Sequence, residues 1–107
     1  MMITSISVQD YKEMRDAGTE HQLIDVREEN EYQFCNIGGE LIPLASVMQS
    51  SDKIRRDIPV VVMCRSGKRS ATAIMQLEVT HGFTNLVNLD GGILQWASEI
   101  DPTVPRY

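Results

Sequence analysis

The sequence predicts an α/β domain. Short apolar runs alternate with segments of helical spacing along its length, and its clearest strand carries apolar residues on both faces. That strand is Pro59-Val60-Val61-Val62-Met63. Being β-branched with no polar side, it suits a central parallel strand covered by helices above and below. Glycines mark the changes of period: Gly18, Gly38-Gly39, Gly82 and Gly91-Gly92 each fall where one pattern stops. The 107 residues read as one domain, 1–107. A chain of that size buries a core without help from disulfides or metals.

Each element has its own signal. Residues 3–6 read as a short first strand. Ser7 then offers an N-cap with Asp10 three residues on, a capping-box pattern. The helix that follows carries Val8, Tyr11 and Met14 on one face and stops at Gly18. Residues 22–26 form the second strand and end in charge, with Asp25, Arg27, Glu28 and Glu29. A short helix through Glu31, Tyr32 and Phe34 is broken by Gly38-Gly39. Residues 41–44 make a brief strand that Pro43 confines to an edge or an end. Val47, Met48 and Ile54 give 46–56 a mixed helical spacing. Residues 69–80 are helical, with Ala71, Ile74, Met75 and Leu77 toward the core and Gly82 as C-terminal cap. Leu86 to Leu89 is the last strand, 93–100 the last helix, and 101–107, with two prolines, an extended tail.

Composition narrows the function. A net charge of −5 argues against nucleic acid as a partner. No run approaches the roughly 18–20 apolar residues of a membrane span. The start, Met1-Met2-Ile3-Thr4-Ser5-Ile6, lacks the basic, apolar pattern of a secretion signal. Two cysteines, Cys35 and Cys64, are too few for a secreted disulfide framework. A reducing cytoplasm is the expected compartment. No apolar stripe suggests self-association, so a monomer is expected. The six methionines are scattered as core filling, His21 and His81 read as surface residues, and no metal site is predicted.

Against that acidic background, Arg65, Lys68 and Arg69 form a basic island directly after the central strand. Cys64 ends the strand, a loop containing Ser66 and Gly67 follows, and a helix begins near Ser70. In open parallel sheets, ligands bind beyond the carboxyl ends of the strands. Backbone N–H groups at a helix start favour negative charge, and three cations reinforce them. Such surroundings should hold the thiol as thiolate, the form that attacks sulfur electrophiles. Gly67 permits the tight loop. A free cysteine is commonly just a buried, inert strand end; the combination of glycine, cations and following helix favours the reactive reading.

At this point the chain resembles the rhodanese-like, sulfurtransferase family over nearly its whole length. Leu23-Ile24-Asp25-Val26-Arg27-Glu28 with Glu31-Tyr32 is similar to the family's "DVR…EY" signature. Cys64-Arg65-Ser66-Gly67-Lys68-Arg69 resembles its active-site loop. Gly82-Phe83 through Asp90-Gly91-Gly92-Ile93-Leu94-Gln95-Trp96 resembles its closing segment. The resemblance implies a doubly wound sheet of about five parallel strands with helices on both faces. It also implies that Cys64 takes a sulfane sulfur from thiosulfate or a protein persulfide and hands it to a nucleophile, with no metal or organic cofactor. Arg65, Lys68 and Arg69 would then bind the anionic donor, while loop N–H groups, including those of Ser66 and Gly67, would hold the persulfide. Asp25 and Arg27 either line the same mouth or form an ion pair; the ion pair is the favoured reading for Asp25, and Arg27 is balanced between them. Gly91, Gly92 and Trp96 are expected in turn and packing roles.

Cys35-Asn36-Ile37-Gly38-Gly39, with Leu41-Ile42-Pro43-Leu44, departs from the common family pattern, which has a histidine where Asn36 stands. It is similar to rhodanese domains fused to enzymes that activate ubiquitin-like proteins, which points to a protein donor or acceptor. Cys35 either resolves the persulfide or, the favoured reading, is an ordinary small apolar residue. Two other classes compete. A phosphatase or arsenate reductase would need five residues between cysteine and arginine, where Cys64 and Arg69 have four. A non-catalytic binding module would be expected to lack the cysteine or its cations.

Overall fold

The computed structural model describes residues 3–107. Met1 and Met2, where the N-terminal run discussed above begins, lie outside the described residues. Strands β1 (Ser5–Ile6), β2 (Gln22–Asp25), β3 (Glu40–Leu41), β4 (Val60–Met63) and β5 (Leu86–Leu89) form one parallel sheet in the order β1-β5-β4-β2-β3. Helices α1 (Val8–Asp16), α2 (Glu29–Phe34), α3 (Lys68–His81) and α4 (Gly92–Glu99) complete the α/β fold. The predicted class is therefore observed.

β4 lies at the centre, and all four of its residues are buried. Side chains alternate across a strand, so the two faces sort themselves by parity. Val60, Val62 and then Cys64 pack with Ala73, Ile74 and Leu77 of α3 and with Val47 and Ile54. Val61 and Met63 pack with Val8 and Tyr11 of α1 and with Ile93 and Trp96 of α4. Each of the larger buried side chains stabilises the fold by about 1.5–3 kcal/mol. β2 and β4 are neighbours, yet β2 leads on to β3 at one edge and β4 leads on to β5 in the other direction. The crevice between their carboxyl ends is a topological switch point, the usual site of ligands in such sheets.

Several local expectations need correction. Ser7 caps α1 by accepting from the Asp10 N–H at 3.0 Å. Among the described residues the Asp10 carboxylate makes no return bond to Ser7, an aspartate being one methylene shorter than the glutamate of a full box. α3 buries Ser70, Ala73, Ile74 and Leu77, a clean i, i+3, i+4, i+7 face. Met75 falls off that face and is 43% exposed. Residues 46–56 contain no α-helix; 3-10 turns at Leu44–Ser46 and Ser51–Lys53 stand there. Ser50, Ser51 and Asp52 have short polar side chains that compete with the helical backbone, and Val47 and Ile54 anchor the segment to the core.

β3 stops before Pro43, as the missing N–H requires. His21 is half-buried, bonded to the Tyr11 hydroxyl at 2.9 Å and to the Thr19 carbonyl at 2.7 Å. The tail is not simply extended: it turns at Asp101, whose carbonyl accepts from Val104 N–H at 3.1 Å, and returns to the core through Val104 and Tyr107. Among the described residues no helix is long and apolar enough to cross a membrane.

Candidate active site

Cys64 is the first residue past β4 and is 1% exposed. The chain turns around its sulfur. Gly67, with φ 101°, directs its N–H to Cys64 Sγ at 3.1 Å. The Ser70 N–H points to the same sulfur at 3.4 Å, and Ser70 Oγ lies 3.4 Å from it. These donors belong to the loop and first turn of the 14-residue α3, so the partial positive charge of the helix start converges on the sulfur.

The outer side of the loop is clamped by α4. Ile93 N–H donates to the Cys64 carbonyl at 3.0 Å, and Leu94 N–H to the Arg65 carbonyl at 3.1 Å. Gly92 makes this approach feasible. Its φ is 60°, and a Cβ there would lie 2.4 Å from the Cys64 oxygen and 2.5 Å from the Arg65 oxygen. The turn role expected of Gly91 and Gly92 therefore extends to shaping the cysteine loop itself. Asn88 of β5 adds a third support, donating from Nδ2 to the Gly67 carbonyl at 3.1 Å and accepting from Ser70 Oγ at 2.5 Å.

The three loop cations have different fates. Arg69 forms a bidentate pair with Glu31, at 2.7 and 2.8 Å. Arg65 donates to the Tyr107 carbonyl, and its guanidinium carbon lies 5.0 Å from the centre of that ring. Lys68 and Ser66 are exposed, and the Lys68 ammonium has no salt-bridge partner among the described residues.

Asp25 and Arg27 are both 0% exposed and form an ion pair at 2.7 Å. A guanidinium has five N–H donors. Arg27 directs Nε to Asp25, Nη1 to the Glu31 carbonyl and the Tyr107 hydroxyl, and Nη2 to Asp25 and the Cys35 carbonyl. With its donors so committed, Arg27 braces the loops beside the mouth and has none left over for a substrate.

Cys35 packs in the opposite core cluster from Cys64, and its Sγ faces the Pro105 carbonyl at 3.6 Å. Asn36 stabilises its own turn, accepting from Gly38 N–H at 3.0 Å and donating to the Tyr32 carbonyl at 3.1 Å.

Sequence reasoning missed Ser70, Asn88, Glu31 and Tyr107 as members of this assembly. Tyr107 donates to Glu31 at 2.6 Å and accepts from Arg27 at 3.0 Å, joining the two ion pairs. Glu31 is held at about 2, below its ordinary 4.5, chiefly by the Arg69 hydrogen bonds; burial opposes this, and the Glu28 backbone and Tyr107 hydroxyl assist.

That depression predicts an acid-sensitive fold. Because the folded carboxyl is the stronger acid, stability from this group is complete above pH 4.5 and is lost as pH falls toward 2. Glu31→Gln is expected to reduce stability at pH 7 by about 1–2 kcal/mol, with allowance for solvent screening of the partly exposed Arg69. It should also flatten the dependence below pH 5. Urea unfolding of wild type and variant across the acid range measures both; parallel curves would remove the ion pair from the account.

Comparison with known proteins agrees with this geometry. The family model for the rhodanese-like domain matches residues 7–99. YqhL, an uncharacterised Bacillus subtilis protein, is 39% identical over 83% of this chain and 71% of its own length. The adenylyltransferase and sulfurtransferase MOCS3 of Danio rerio is 32% identical over 95% of this chain, which spans only 27% of that protein. A rhodanese-related protein from Thermoplasma volcanium superimposes with a TM-score of 0.80 at 30% identity, over 97% of this chain and 99% of its own. The chain thus spans about a quarter of the length of the adenylyltransferase/sulfurtransferase relatives that it matches.

Proposed function

Because the chain belongs to the rhodanese-like domain family, we propose that it is a sulfurtransferase whose Cys64 carries sulfane sulfur as a persulfide. The observation that carries this reading is the convergence of the Gly67 and Ser70 N–H groups on Cys64 Sγ at the head of α3. Donors fixed in advance stabilise an anionic sulfur without reorganisation at the moment of reaction.

In the first half-reaction the Cys64 thiolate attacks the outer sulfur of thiosulfate. A sulfur–sulfur bond forms, the bond to the sulfonate sulfur breaks, and its electron pair leaves with sulfite. In the second, a nucleophile such as cyanide attacks the outer sulfur of the persulfide, and the electron pair returns to Cys64 Sγ. Neither step calls for a metal or organic cofactor. Lys68 attracts the anionic donor, and Arg65 joins it on exchanging the Tyr107 carbonyl for the donor. A protein persulfide is the alternative donor and reacts by the same exchange, its own thiolate leaving in place of sulfite. A phosphatase-like role is disfavoured, since Arg69, the arginine that would clamp phosphate, is already engaged by Glu31.

The test is the intact mass of the wild-type protein after thiosulfate, followed by cyanide. The expected result is one added sulfur atom, removed as thiocyanate. Failure to load from thiosulfate and also from a cysteine desulfurase persulfide would leave a binding module in its place.

A further inference from the structure

Cys64 Sγ, Gly67, Asn88 and Ser70 close a ring of contacts that enters the loop from a strand outside it. Sγ accepts from Gly67 N–H at 3.1 Å, the Gly67 carbonyl accepts from Asn88 Nδ2 at 3.1 Å, and Asn88 Oδ1 lies 2.5 Å from Ser70 Oγ. Ser70 Oγ returns to Sγ at 3.4 Å. Asn88 is 8% exposed and Ser70 is 0% exposed, so water does not substitute freely for either side chain.

Donor and acceptor roles in this ring are fixed by elimination. A carbonyl only accepts, so the amide nitrogen of Asn88 faces Gly67. The amide oxygen then faces Ser70 and must accept, which commits the Ser70 hydroxyl proton to Asn88. Ser70 consequently shows lone pairs to the sulfur. That arrangement suits a protonated thiol and is tolerated by the neutral inner sulfur of a persulfide, whose charge sits on the outer atom. It does not suit a thiolate until Ser70 turns its proton from Asn88 to Sγ.

We infer that Asn88 is a positioning residue for sulfur release from Cys64, acting through the Ser70 hydroxyl and the Gly67 carbonyl. The inference rests on the sulfurtransferase reading and deepens it. While the persulfide stands, Ser70 stays on Asn88 and the loop is braced. As the acceptor attacks the outer sulfur, the sulfur–sulfur bond breaks and its electron pair collects on Sγ. Ser70 then swings its proton to that leaving sulfur, and Gly67 N–H, held in place by Asn88, supplies a second bond. Both interactions strengthen as charge develops, so they act on the transition state more than on donor binding.

The experiment is steady-state kinetics of wild type, Ser70→Ala, Asn88→Ala and the double variant with thiosulfate and cyanide, each checked by thermal unfolding. Asn88→Ala is expected to lower kcat about tenfold and Ser70→Ala about tenfold to a hundredfold. kcat/KM for thiosulfate should stay within about twofold, because loading precedes the release step and the rim cations are untouched. The double variant should lose little more than the worse single variant, as residues acting in one unit do. Additive losses, a rise in KM at constant kcat, or wild-type kinetics in Asn88→Ala would overturn the proposal. Should Asn88→Ala not fold, Asn88→Ser, too short to reach both partners, takes its place with the same expectations.

Should wild type transfer no sulfur, the rate of Cys64 alkylation by iodoacetamide at fixed pH replaces turnover in the same cycle. Coupled single and double variants there would keep the positioning role of Asn88 while removing the sulfurtransferase reading. Additive or unchanged rates would remove the positioning role as well.

Discussion

Cys64→Ser is expected to lower sulfur transfer by at least about 10³-fold, to abolish the one-sulfur adduct and to leave the fold intact. The change exchanges a sulfur for an oxygen at a residue that is 1% exposed, so little packing volume alters. Gly67 and Ser70 N–H groups can donate to the new hydroxyl as they did to the sulfur, and the α4 clamp on the Cys64 and Arg65 carbonyls involves backbone alone. What disappears is the chemistry. A serine hydroxyl remains protonated at neutral pH, and no other base stands in hydrogen-bond contact with this position among the described residues. Intact mass after thiosulfate and thiocyanate release after cyanide measure the two halves separately, and a melting curve shows that the fold survives. Turnover retained in Cys64→Ser would move the sulfur to Cys35, across the sheet, and the site proposed around Gly67 and Ser70 with it.

Much of this architecture was legible because its signals are local. The unbroken apolar character of 60–63 marks a strand covered on both sides, and the loop leaving that central strand marks the mouth of the candidate site. The basic loop, Gly67 and the helix start make the electrostatic case for Cys64 from residues within one short segment. Ser7 and Gly82 bounded their helices by cap chemistry that lies within a few residues of each. The prediction for 46–56 failed for a local reason too: apolar residues at 47, 48 and 54 satisfy a helical period, whereas Ser50, Ser51 and Asp52 satisfy turns.

What stayed hidden is long-range. Arg65, Lys68 and Arg69 look equivalent along the chain, yet Glu31 and Tyr107, separated from Arg69 by 38 positions in the first case and from Arg65 by 42 in the second, make them different. Nothing in the tail, with its prolines, announces that its tyrosine sits between two ion pairs. Asn88 is the exception, since it did carry a signal. A lone amide within Leu86-Val87-Asn88-Leu89, in a strand covered on both sides, must find buried hydrogen-bond partners or destabilise the sheet. Asking where those partners lie leads to Gly67 and Ser70.

The same demand governs Arg27, where the largest effect on stability is expected. Arg27→Met keeps an unbranched apolar stem but removes the guanidinium and its charge, leaving Asp25, at 0% exposure, without a counter-ion in the middle of the structure. Breaking a buried pair from one side typically costs about 3–5 kcal/mol. For a domain of this size that lowers the melting temperature by more than about 10 °C. The loss reaches beyond the pair, because the same guanidinium ties the Cys35 carbonyl, the Glu31 carbonyl and the Tyr107 hydroxyl.

If the stranded carboxylate is the principal cost, removing it as well should recover stability. Asp25→Asn combined with Arg27→Met is therefore expected to melt above Arg27→Met alone, since a neutral amide is far cheaper to bury than an unpaired charge. A double variant melting no higher than the single one would assign the cost to the lost ties among the loops and the tail. Either way Arg27 acts on the site from outside it: it sets Tyr107, Tyr107 receives Arg65 and bonds Glu31, and Glu31 holds Arg69. Arg65 and Arg69, two of the three cations beside Cys64, are thus placed by an ion pair buried at the end of the neighbouring strand.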